Sequence, residues 1–163
     1  MFRIGEYAVC PGHGVGKICD IEERQIGEEN KLFYIIRVLG NGMTVMVPTE
    51  AHCGIRELIS DEEIHSLFEF LSSNENIQID TSTWNRRYRD YMAKIKTGNI
   101  MEVALVFRDL SLLKITKGLS YGEKKMLDQC KDLLVEELAI SLGHDRPSIC
   151  QKIDSCFANL KAI

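Results

Sequence analysis

The sequence predicts an α+β protein in which a small β-barrel precedes a compact all-α helical bundle. Three observations carry that expectation. Residues 1–59 hold short runs rich in Val, Ile, Tyr and Phe separated by turn residues. After Ser60 the apolar period changes from two to that of a helix. Beyond that point, hydroxyl or amide residues followed three positions later by Glu mark successive helix starts.

The β half comes first. Strands are expected over Glu6–Cys10, Val15–Ile26, Leu32–Val38 and Met43–Val47. Gly12, Gly14 and Gly16 mark a sharp bend after the first, and Gly40-Asn41-Gly42 suits a tight hairpin before the last. Four or five short strands in so few residues favour a small closed barrel over an open sheet.

The helical half opens with Ser60 and Glu63, a capping-box pattern for a helix through Leu71, with Ile64, Leu67, Phe68 and Leu71 on one face. The polar stretch 72–83 reads as a linker. A second helix is expected from Trp84 to Lys96, stopped by Gly98. Asn99 with Glu102 starts a third, carrying Val103, Val106, Phe107 and Leu110. Ser120 with Glu123 starts a fourth, whose stripe of Met126, Leu127, Cys130, Leu133, Leu134 and Leu138 ends near Gly143. Pro147 and Ser148 begin a fifth, with Ile149, Ile153, Phe157 and Leu160 inward. The domains expected are therefore 1–59, a helix and linker over 60–83, and a helical domain over 84–163.

Composition narrows the function classes. With 45% hydrophobic and 27% charged residues the chain reads as globular. No apolar run approaches the roughly 20 residues that span a bilayer, and the N-terminus lacks a signal-peptide pattern, so a cytoplasmic address without membrane contact is expected. Six cysteines lie scattered without a CxxC pair, as small hydrophobes in a reducing compartment. Gly16-Lys17 runs into the strand-like Ile18-Cys19 and not into a helix, which excludes a P-loop. His13, His52 and Cys53 have no spacing that makes a metal site or a Cys–His nucleophile. No enzyme, cofactor or metal is expected.

Charge is distributed unevenly, and this points to a partner. The formal net charge is −4, yet residues 84–131 hold eleven Lys and Arg against five Asp and Glu. Residues 1–83 hold six against fourteen. The basic segment opens with the only tryptophan, Trp84, followed by Asn85-Arg86-Arg87-Tyr88-Arg89. Cations suit phosphates and a flat apolar group suits bases, which is what a duplex-binding surface needs. The competing reading is ordinary: Trp84 shares a helical face with Tyr88, Tyr91 and Ile95, and a charge run is usually a solvated face. A protein-only adaptor without DNA contact is the alternative function.

Motifs along the chain resemble the CarD/CdnL family of bacterial transcription regulators. They are Phe2-Arg3-Ile4-Gly5-Glu6, Pro11-x-His13-Gly14-Val15-Gly16, Met43-Thr44-Val45-Met46-Val47-Pro48 and Ile55-Arg56-Glu57-Leu58 in the first half. Trp84-Asn85-Arg86-Arg87-Tyr88, Lys96-Thr97-Gly98-Asn99, Val106-Phe107-Arg108-Asp109-Leu110 and Leu119-Ser120-x-Gly122-Glu123-Lys124-Lys125-Met126-Leu127 follow in the second. The set runs in order over residues 2–140.

The resemblance implies an SH3/Tudor-like barrel that binds the RNA polymerase β subunit, and a helical domain on promoter DNA at the upstream edge of the transcription bubble. There the family's tryptophan, matching Trp84, wedges into the minor groove and slows collapse of the open complex, with little sequence specificity. Arg86, Arg87, Lys124 and Lys125 are the expected phosphate contacts. Arg24 and Ile26 match positions used against polymerase. Met46 departs from relatives with a basic residue there, so Arg37 is expected to share that patch. A monomer is expected.

Overall fold

The computed structural model of the chain describes residues 1–50, 54–73 and 82–158. His52, Cys53, Leu160 and most of the expected linker fall outside the described residues. Two compact units result, Met1–Leu58 and Ile59–Ile163.

The first unit is a curled antiparallel sheet of β1 (Tyr7–Cys10), β2 (Gly14–Ile26), β3 (Glu29–Val38) and β4 (Thr44–Pro48), in the order β1-β2-β3-β4. Among the described residues β1 and β4 do not pair, so the expected closed barrel is a half-barrel. Arg56 returns to β1 through one bridge to Val9. Strand β3 begins three residues earlier than the apolar pattern suggests. The polar residues Glu29, Asn30 and Lys31 still pair with Ile26, Gln25 and Arg24, because the ladder runs on to a two-residue turn at Gly27. A register shift between Ile18 and Asp20 bends β2. The inner face packs Ala8, Cys10, Ile18, Tyr34 and Ile36, flanked by Phe2, Ile21, Val45, Val47 and Ile55.

The second unit holds α1 (Asp61–Ser72), α2 (Trp84–Lys96), α3 (Ile100–Thr116), α4 (Tyr121–Leu142) and α5 (Arg146–Cys156). Local chemistry sets their ends. Ser60 with Glu63 and Ser120 with Glu123 each close a reciprocal capping box. Asn99 caps α3 by accepting from the Met101 N–H, and Asp145 caps α5 by accepting from the Ser148 N–H. Gly143 ends α4 with φ of 67°, a left-handed turn that glycine adopts without strain.

Helix α1 is part of this bundle: its Ile64, Leu67 and Leu71 share one core with Tyr91, Ile95, Phe107, Leu110, Leu134 and Ile153. The buried Glu137 of α4 accepts the Ile59 N–H at 2.8 Å and so fixes the start of the unit. No helix among the described residues is long and apolar enough to cross a membrane.

Candidate functional site

The start of α2 is built against the start of α4, and the contact runs through Trp84. The residue is half-buried, packed on the bundle core along one side. Its ring meets Tyr88, one turn on, edge to face at 5.7 Å between centroids. Below it lies Gly122, the second residue of α4. A Cβ at that position would stand 3.1 Å from the indole Nε1, so only glycine leaves the ring this close to the helix. Trp84 is thus neither sealed in the core nor fully exposed, and lies between the two readings of the sequence.

Arg87 corrects an expectation. It is only 8% exposed, and its guanidinium is already engaged on three sides. Nη1 donates to Glu123 Oε2 at 3.2 Å, Nε donates to the Ser82 carbonyl at 3.1 Å, and the group stands 5.3 Å from the Trp84 ring centroid. A buried, paired arginine is not available to a phosphate, so it leaves the set of expected contacts. Burial pushes the Glu123 carboxyl up, but the Ser120 hydroxyl and N–H and the Arg87 guanidinium outweigh that and hold its pKa below the ordinary carboxylate value.

Arg108 is a second exception to the basic face. It is buried on α3, donates to the Phe70 carbonyl at 3.3 Å and lies over the Phe70 ring. Lys131 pairs with Asp154.

Of the expected phosphate contacts, Arg86, Lys124 and Lys125 are exposed, at the two helix starts that the Arg87–Glu123 pair joins. The positive ends of both helix dipoles add to their field. Tyr121, the first residue of α4, is 83% exposed at the same helix start.

In the first unit, strand register puts Arg24, Ile26, Arg37 and Met46 on one face of the sheet. Arg24 opposes Lys31 and Ile26 opposes Glu29, while Met46 opposes Ile35 and Thr44 opposes Arg37. Residues 29, 31, 33, 35 and 37 alternate along β3 on the side opposite Tyr34 and Ile36, with Phe33 the buried member of that set, and directly paired residues share a face. Ile26 and Met46 are about half exposed, apolar side chains on an outward surface. Arg24 is joined to Glu22 at 2.8 Å, an exposed ion pair of small energetic weight.

Among the described residues no group of three or more His, Cys, Asp or Glu could hold a metal ion. Burial pushes the Cys130 thiol up to about 12, and Cys10 is raised for the same reason.

Comparison with known proteins adds a family. A model described as "CarD, C-terminal domain" matches residues 66–154, and one described as "CarD-like/TRCF RID domain" matches residues 2–59. The chain is similar to "Putative transcription factor YdeB" of Bacillus subtilis (strain 168). The two are 37% identical over 148 residues, covering 88% of this chain and 94% of that protein.

Proposed function

The chain belongs to the CarD-like family of transcription factors, and from that premise we propose that it bridges RNA polymerase and promoter DNA to stabilise the open complex. The outward face of the sheet, with Met46 between Arg24 and Arg37 and Ile26 at the hairpin end beyond Arg24, meets the polymerase β subunit. The joined starts of α2 and α4 meet the DNA.

The observation that carries this reading is the only partly buried indole of Trp84 near the exposed Arg86, Lys124 and Lys125. An aromatic wedge enters the minor groove at a base step and must overcome unstacking of a few kcal/mol. At the edge of a melted bubble the step is already distorted, so much of that cost is absent. The ring therefore favours open over closed DNA. A ligand moves an equilibrium only by its differential affinity for the two states, and about 1.4 kcal/mol changes the ratio tenfold. Arg86, Lys124 and Lys125 hold phosphates, a contribution that is indifferent to sequence and weakens with salt.

Trp84→Ala is expected to keep polymerase binding and to shorten the lifetime of promoter complexes about tenfold, the equivalent of losing that preference. The measurement is competitor-challenged decay of complexes formed with purified polymerase. Lifetimes unchanged by the substitution would refute the wedge, and footprints unchanged by the wild-type protein would favour an adaptor that touches only polypeptide.

A further inference from the structure

We infer that Arg87, Glu123 and Gly122 form a seat that fixes the plane of the Trp84 ring and locks it to the Lys124–Lys125 end of α4. The inference rests on the wedge reading and adds positioning residues to it. Three contacts, two from α2 itself and one from α4, converge on one indole. Arg87 reaches its face from α2 at 5.3 Å, Tyr88 meets its edge at 5.7 Å, and Gly122 of α4 clears the space below Nε1.

Arg87 is itself held. Glu123 takes one arm of its fork and the Ser82 carbonyl takes Nε, so the guanidinium cannot swing away from the ring without leaving a buried charge. Glu123 also acts on its own helix, where its Oε1 accepts the Ser120 N–H at 3.1 Å and closes the cap of α4. The same carboxylate therefore determines where α4 begins and where Arg87 lies. Lys124 and Lys125 follow it directly, so the wedge and its neighbouring cations move as one body. A wedge must arrive pre-oriented, because ordering a loose side chain on the DNA would consume the differential affinity it supplies.

Three substitutions in the full-length protein separate positioning from folding. Gly122→Ala places a methyl group under Nε1 while raising helix propensity, so the ring shifts without loss of thermal stability. Arg87→Lys keeps the charge but loses the planar fork. Glu123→Gln keeps one acceptor oxygen for the cap but removes the negative charge and the second oxygen that takes the Arg87 Nη1. Because Trp84 is the only tryptophan, its emission wavelength and its quenching by acrylamide report ring placement with no DNA present.

All three variants are expected to shift the emission and steepen the quenching. They are also expected to shorten promoter-complex lifetimes about threefold, the loss from one freed aromatic contact. Arg86→Ala is expected to shorten lifetimes with the emission unmoved. Emission and quenching identical to wild type in all three variants would overturn the seat. So would a shifted emission with wild-type lifetimes, provided Trp84→Ala shortens them. If Trp84→Ala itself has no effect on lifetimes, the wedge reading fails, and the emission data alone decide the seat.

Discussion

Arg86 and Arg87 stand side by side in the sequence, and the helix sends one outward and the other into the bundle. The distinction was present in the spacing. Arg87 lies four residues before Tyr91 and eight before Ile95, both buried, so it belongs to the inward stripe. A basic run reads as a solvated face unless each cation is placed in helical phase, and the identity of the buried partner, 36 residues away, has no local signal. Removing that partner has a calculable direction. Glu123→Ala leaves the Arg87 charge buried and uncapped, and should lower unfolding stability by about 3 kcal/mol in denaturant titrations near neutral pH. The sign with pH follows from the carboxyl's depressed pKa. Its contribution is present above the ordinary value of 4.5 and is lost as pH falls through the lower folded-state value. The stability gap between wild type and Glu123→Ala should therefore narrow in acid. A gap constant with pH would show that the pair carries no charge-dependent stability.

At the scale of elements, the glycines divide by the job each does. Gly12, Gly14 and Gly16 read together as one bend, but they serve two purposes. Gly12 and Gly14 have φ of 77° and 91° and make the turn between β1 and β2. Gly16 sits inside β2 opposite Ala8 and Val38. A Cβ there would collide with Ile36 Cγ2 and stand 3.6 Å from Cys10 Sγ. Spacing could not separate the two cases, since the collision depends on a residue of a neighbouring strand. Helix starts were legible because capping is local: the caps at Ser60, Asn99 and Ser120 lie where the motifs put them, while α2 begins at Trp84 as expected without a side-chain cap. Sheet closure was not legible, because it depends on long-range edges. Gly16→Ala should cost about 1–3 kcal/mol through overpacking. It should also expose the buried Cys10 thiol, which would be seen as faster labelling at that cysteine by a thiol reagent. Unchanged Cys10 labelling would mean the sheet absorbs the extra methyl group elsewhere.

For the whole molecule, two separate cores imply two separable contributions. The Met1–Leu58 unit packs around Ile18 and Ile36, and the Ile59–Ile163 unit around Leu110 and Leu134. If the outward sheet face supplies attachment and the Trp84 end supplies preference for melted DNA, each leaves a different mark on one titration. Attachment raises the local concentration of the second unit at the promoter, as any tether does. It does not distinguish open from closed DNA, so it sets occupancy. The ring distinguishes them, so it sets the effect at full occupancy. Met46→Glu or Arg24→Glu should therefore move the midpoint of a lifetime-against-concentration curve to higher protein and leave the plateau intact. Trp84→Ala should lower the plateau and, because the ring's preference is also affinity for the open complex, raise the midpoint as well; only the sheet-face variants should leave the plateau intact. The first unit, with six basic against eight acidic residues, carries no surplus of cations to take over the DNA contact when attachment is weakened. A sheet-face variant that lowers the plateau at saturating protein would show that both units sense the state of the DNA, and the division between them would fall.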